Sequence, residues 1–236
     1  MLSEIEILLQ KFSDNSLFQE YYFVGGTALA YYLNHRISYD IDFVKPERLN
    51  TPKLKELSIL FQARYIPDPN ASVFRINTAE SLEEYKMSFN FDGIKVEFFY
   101  PNDPLKTAIV KRDRNESRQI YPNIYILPLK TIAELKLLAF FERSKIRDLF
   151  DIYVLLEKNV IDTELIERYT ALKKGRLTFP EVIETFHDDG SESLDFMPEN
   201  LYYKEYNKIP AQEKEAYIKE KLTELFVRKT TQGRSL

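Results

Sequence analysis

The sequence predicts an α+β fold: a small mixed sheet flanked by helices, followed by a C-terminal, mostly helical region. Three observations carry that expectation. Between residues 21 and 99 the chain holds short apolar, β-prone runs, several of them alternating with period two. Asp92-Gly93 stands between two of these runs and reads as a hairpin turn. From Pro128 onward the apolar period becomes helical and mostly stays so. The change of period places a boundary between residues 127 and 128.

Taken in order, Leu2, Ile5, Leu8, Leu9 and Phe12 have helical spacing and predict an amphipathic helix over residues 2–12. Tyr21 to Val24 is a first strand ending at Gly25, and Thr27 to Leu33 is a helix after the turn. Tyr39 to Val44 is a second strand closed by Lys45-Pro46. Thr51-Pro52 reads as an N-cap with proline at the first helical position, opening a helix over residues 53–64. Val73–Asn77 and Tyr85–Phe91 alternate and predict strands; Ile94–Phe99 is the return strand of the hairpin. The stretch Lys106 to Tyr121 is polar and locally basic, and Asn123 to Leu127 is one more short strand. Helices are expected at about 130–142, 145–158, 162–173, 179–187 and 210–228, with residues 191–200 a loop.

Composition bounds the chemistry. With 44% hydrophobic and 30% charged residues, the chain is an ordinary globular protein. It has no cysteine, which excludes disulfides and thiolate zinc sites and fits a cytoplasmic location. Two histidines make an imidazole-built metal site improbable, so oxygen ligands are expected. The opening MLSEIEILLQKF carries acidic residues inside its apolar run and does not read as a signal peptide. No apolar run approaches membrane-spanning length. A formal net charge of −4 argues against coating nucleic acid by bulk charge, while leaving room for a local basic groove.

The stretch VGGTALAYYLNHRISYDIDF, residues 24–43, concentrates the chemistry. Residues i and i+2 of a strand share a face, so Asp40 and Asp42 project side by side while Ile41 and Phe43 turn inward. Two carboxylates so close repel unless a cation lies between them, and Mg²⁺ takes one or two carboxylates plus substrate phosphates. Gly25-Gly26-Thr27 opens a helix whose free N–H groups and positive dipole end seat a phosphate. Glu97, among apolar neighbours on the return strand, is the candidate third carboxylate; the competing reading points it to solvent beside Lys95. Lys136 has Ile132, Ala133, Ala139 and Phe140 around it and needs a partner, either a nucleotide phosphate or Asp148 and Asp151 one turn apart on the next helix. His35 reads as a surface helix-end residue.

Residues 24–43 resemble the nucleotidyltransferase signature of the DNA polymerase β superfamily, a small-residue turn followed about a dozen residues later by Asp-x-Asp. Arg36 and Ser38 in HRISYDIDF, with Lys136-Leu137-Leu138-Ala139 and the Arg143, Lys145, Arg147, Asp148, Asp151 series, resemble the AbiEii/AbiGii toxin family. The resemblance spans roughly residues 20–158. Thr27 stands where serine is commoner, and Glu97 where aspartate is commoner.

The resemblance implies a nucleotidyltransferase fold, with residues 1–127 as catalytic domain and 128–236 as a helical domain completing the active-site cleft. It implies transfer of NMP from an NTP to an acceptor hydroxyl, with RNA, above all tRNA, as acceptor. Asp40, Asp42 and Glu97 are then metal ligands for Mg²⁺, two ions being expected and Mn²⁺ an alternative. Gly25, Gly26, Thr27, Arg36, Ser38 and Lys145 become nucleotide or phosphate contacts; Lys136 and Asp148 join the two aspartates as catalytic residues. A toxin role controlled by a separately encoded antitoxin follows, and Lys106 to Arg118 is the expected RNA contact. Two rival readings share the same residues: a nucleotide- or protein-binding module without turnover, and a transferase acting on a protein or small molecule.

Overall fold

The computed structural model describes residues 2–188 and 204–233, so the loop expected over 191–200 lies outside the described residues. The chain forms two compact units, Met1–Ile132 and Ala133–Leu236.

The first unit is built on a seven-stranded mixed sheet. Its strands are β1 (Tyr22–Val24), β2 (Ile41–Val44), β3 (Arg64–Ile66), β4 (Lys86–Phe91), β5 (Ile94–Phe99), β6 (Arg118–Tyr121) and β7 (Ile124–Ile126). They lie in the order β3-β4-β5-β2-β1-β7-β6. β2 runs parallel to β5 and β1 parallel to β7; the other neighbours are antiparallel. The hairpin expected at Asp92-Gly93 joins β4 to β5, and both residues take the positive φ (51° and 92°) that the turn demands. Helices α1 (Ser3–Phe12), α2 (Gly25–Leu33), α3 (Thr51–Leu60), α4 (Ala71–Thr78) and α5 (Pro104–Asp113) belong to the same unit.

Alternation along the strands sorts the side chains. Phe43, Val96, Phe98, Met87, Phe89 and Phe91 are buried in the core. Phe43 lies stacked on Phe98 at 5.4 Å between centroids, with Phe18 at 5.2 Å and Phe23 at 6.0 Å. Phe12 of α1 closes the cluster by stacking on Phe18 at 4.5 Å. The intervening residues Lys86, Ser88, Asn90, Lys95, Glu97 and Asp42 take the opposite face.

Several segments differ from expectation. Val73–Asn77, expected as a strand, is α4: Val73 and Ile76 also fit helical spacing, and both are exposed, so no buried face enforces period two. α3 ends at Leu60, short of the expected 64, and Arg64, the last residue of the expected helix, instead opens β3, which pairs with β4. The cap of α3 is Asn50, whose side chain accepts from Lys53 N at 3.2 Å, and Thr51 is already helical. The basic stretch divides into α5, a short 3-10 turn and edge strand β6.

The second unit is helical: α6 (Leu129–Glu142), shared across the boundary, then α7 (Ile146–Glu157), α8 (Thr163–Lys174), α9 (Phe179–Glu184), α10 (Lys204–Asn207) and α11 (Lys214–Gly233). α11 packs on α7, α8 and α9. Phe179 joins α9 to α6 and α11 through Phe140 at 5.9 Å and Phe226 at 5.0 Å. No helix among the described residues is long and apolar enough to cross a membrane.

Phe43 is wholly buried at the centre of the aromatic cluster. Phe43→Ala is expected to destabilise the protein by about 3–5 kcal/mol, the range for emptying a buried aromatic site. Urea unfolding should show it as a lower midpoint at nearly constant m.

Candidate functional site

The site begins with Gly25 and Gly26, which form the first turn of α2 directly off β1. The helix therefore starts two residues earlier than the sequence suggested, and Val24 offers no side-chain cap to its N–H groups. Both glycines are dictated by space. Gly25 has φ +77°, and a Cβ there would overlap the Asp42 carboxylate. A Cβ on Gly26 would stand 2.6 Å from a guanidinium nitrogen of Arg36 and 3.0 Å from Ser38 Oγ. The carboxylate, the guanidinium and the hydroxyl thus converge on one helix N-terminus.

Thr27 is buried, and its hydroxyl donates to the backbone carbonyl of Asp40. It ties α2 to the residue that enters β2. Arg36 and Ser38 are also buried; Arg36 donates to the Ile37 carbonyl at 3.0 Å. His35, expected at the surface, is fully buried, because Asn34 turns the chain inward in the left-handed conformation at the end of α2. A lone His after a helix gives no sequence signal for that inward turn.

Register brings the carboxylates together. Asp42 of β2 is level with Glu97 of the parallel strand β5, and directly paired residues share a face. Ile41 is level with Val96, so one further step puts Asp40 level with Lys95. On the far side of β5, Ser88 is level with Glu97 and Asn90 with Lys95. Glu97 is not turned to bulk solvent: its side chain is 17% exposed and engaged. Its Oε2 accepts from Ser88 Oγ at 3.1 Å and lies 3.3 Å from Lys86 Nζ and 3.2 Å from Lys95 Nζ. Burial alone would lower the Lys95 pKa, but Glu97, Asp40 and Asp42 outweigh it and hold the ammonium above its ordinary range. Lys86, Ser88 and Lys95 are site neighbours that local spacing does not reveal: the β4–β5 pairing brings Lys86 and Ser88 to Glu97, and the β2–β5 pairing brings Glu97 to Asp42.

As a cation site, the face has the right donors: oxygen ligands from Asp40, Asp42 and Glu97, already balanced by ammonium groups. Among the described residues, no three carboxylates or imidazoles are gathered closely enough to form a ready metal cage.

The second unit holds a separate polar cluster. Lys136 of α6 is buried, with its ammonium 2.9 Å from Asp148 Oδ1 and 2.9 Å from Asp151 Oδ2, both on α7. Arg143 adds bonds to Asp148 of 2.7 Å and 3.1 Å. The partner that Lys136 requires is thus the aspartate pair. Burial alone would raise the pKa of Asp148, but Lys136 and Arg143 hold it below the ordinary carboxylate range. Lys145, at the N-cap of α7, is half-buried. Of the expected RNA-contact segment, Arg112 is bonded to Asp113 at 2.6 Å and Arg114 to Glu47 at 3.2 Å, while Lys111 and Arg118 are exposed.

Residues 6–227 match the family model described as "Nucleotidyl transferase AbiEii toxin, Type IV TA system". An uncharacterized protein of Aquifex aeolicus is 26% identical over 191 residues, 79% of this chain and 82% of that one. A putative nucleotidyltransferase from Helicobacter pylori is similar at 18% identity and TM-score 0.49, covering 98% of each chain. MenT4, a nucleotidyltransferase toxin from Mycobacterium tuberculosis, is similar at 15% identity and TM-score 0.44, over 88% of this chain and 75% of that one.

Lys136→Met removes the buried ammonium that Asp148 and Asp151 share, and breaking a buried pair this way costs about 3–5 kcal/mol. Chemical denaturation should register that loss. Because the Asp148 pKa is depressed, its stabilising contribution is complete above the ordinary carboxylate value of about 4 and lost as pH falls through the lower folded value. Wild-type stability should therefore drop below about pH 4. Asp148→Asn should be less stable at pH 7 and flatten that acid limb.

Proposed function

Because the chain belongs to the AbiEii nucleotidyl transferase toxin family, we propose that it transfers a nucleoside monophosphate from an NTP to an acceptor hydroxyl on RNA, of the tRNA class, with Mg²⁺. The observation that carries this reading is the meeting of Asp42 and Glu97, level on adjacent strands, with the N-terminus of α2 at Gly25-Gly26. A triphosphate needs both a seat for its anionic oxygens and carboxylates for its counter-ion.

Each residue has a distinct task. Gly25 and Gly26, having no Cβ, let the Asp42 carboxylate, the Arg36 guanidinium and the Ser38 hydroxyl reach the first turn of α2, where a phosphate would be held. The Arg36 guanidinium, held against Gly26, adds a planar donor at the same place, and Ser38 a hydroxyl. Thr27 keeps Asp40 in position through its carbonyl. Asp40 and Asp42 would hold Mg²⁺, which supplies charge neutralisation at the phosphates and makes the attacking hydroxyl more acidic. In the reaction, the acceptor hydroxyl loses its proton to solvent and its oxygen forms a bond to the α-phosphorus. The bond from that phosphorus to the bridging oxygen breaks, and pyrophosphate departs with the electron pair. In the second unit, Lys136 and Lys145 are proposed as phosphate contacts and Asp148 as an orienting carboxylate. A phosphate reaching Lys136 competes with Asp148 and Asp151 for its ammonium. An antitoxin is the partner that the family implies.

The test is incubation of the purified chain with each α-labelled NTP, Mg²⁺ and total bacterial RNA, resolved on a denaturing gel. Label on an RNA band is expected. It should fall by more than about a hundred-fold in Asp42→Asn, exceeding what losing a group one shell out from a metal costs. Label on protein alone would move the acceptor to a polypeptide. Nucleotide binding without any label would favour a binding module.

A further inference from the structure

Lys95 stands out among the cations of the first unit for where its strand puts it. Continuing the β2–β5 register one residue beyond Ile41 and Val96 carries it level with Asp40, two residues from Glu97 and so on the same face as the Asp42–Glu97 pair. Its ammonium is 3.2 Å from Glu97 Oε2. Lys86 and Ser88 approach that same oxygen at 3.3 Å and 3.1 Å, so one oxygen of Glu97 serves three donors. Lys86 has a second carboxylate, Asp68, at 3.2 Å, whereas the carboxylates around Lys95 are Glu97, Asp40 and Asp42 themselves.

We propose that Lys95 is a built-in cation of this carboxylate face, supplying in the nucleotide-free protein the positive charge that a divalent ion would supply and engaging Glu97 so that free metal binds weakly. The inference rests on the reading in which Asp40 and Asp42 hold Mg²⁺. Its physical basis is exclusion: like charges do not share a site, so an ammonium among three carboxylates lowers their affinity for a second cation. A triphosphate changes the balance, because it offers the ammonium an anionic partner and carries its own divalent ion. Metal and nucleotide then enter together. Lys95 acts here through Glu97 and the aspartates and is a positioning residue.

The experiment measures Mn²⁺ binding to the nucleotide-free full chain, by the electron paramagnetic resonance signal of unbound Mn²⁺. Lys95→Met is expected to bind Mn²⁺ at least about ten-fold more tightly than wild type, because a repelling charge has gone. Lys95→Arg, which keeps the charge, should match wild type. Adding Glu97→Gln to Lys95→Met should cancel the gain, since Glu97 is the ligand released. A merely structural lysine would weaken binding when removed. Unchanged or weaker binding in a folded Lys95→Met, or equal tightening in Lys95→Arg, overturns the inference. If Asp40→Asn/Asp42→Asn abolishes Mn²⁺ binding while Lys95→Met shows no gain, the inference falls and the metal reading stands. Binding indifferent to Asp40→Asn/Asp42→Asn overturns both.

Discussion

Carboxylates brought to one face of a sheet repel each other, and the fold must supply positive charge among them. That requirement organises the first unit. Strand β2 presents Asp42, its approach presents Asp40, and β5 presents Glu97 level with Asp42. Two lysines from the β4–β5 hairpin then turn onto Glu97. The arrangement would be costly if half-buried and uncompensated. Its compensation comes from the same strand alternation that buries Met87, Phe89, Phe91, Val96 and Phe98 on the other face. The aromatic core and the charged face are thus two sides of one pleat.

Around that face, the backbone is placed by residues with no charge. Gly25 and Gly26 allow a carboxylate and a guanidinium to lie where side chains would otherwise stand. Thr27 fastens the start of α2 to Asp40. These are requirements of close approach, and they explain why a chain with only six glycines places two of them here.

The second unit solves a similar electrostatic problem with the opposite sign at its centre. Lys136 is the buried cation, and Asp148 and Asp151 reach it from one face of α7. A network of this kind contributes less by its attraction than by the penalty for breaking it, so it enforces one pairing of α6 with α7. Any role for Lys136 toward a phosphate is a competition with two aspartates already in place.

Much of this was legible in the sequence because it is local. Spacing two residues apart put Asp40 and Asp42 on one face, and Asp-Gly between alternating runs marked the β4–β5 turn. A helical period marked α1, α6, α7 and α8. Where two periods fitted a short exposed run, as at Val73–Asn77, no burial decided between them and the helix went unread. β3 and β6 were missed because an edge strand of three or four residues has little pattern of its own and is made by its neighbour's hydrogen bonds. Sequence alone determined which residues had the chemistry for a phosphate seat and a cation site. Tertiary structure decided which of them meet: Asp42 with Glu97, Lys95 beside both, Arg36 against Gly26, His35 inside, and Lys136 between two aspartates. Those outcomes depend on strand register and on competition among distant partners, which no local spacing encodes.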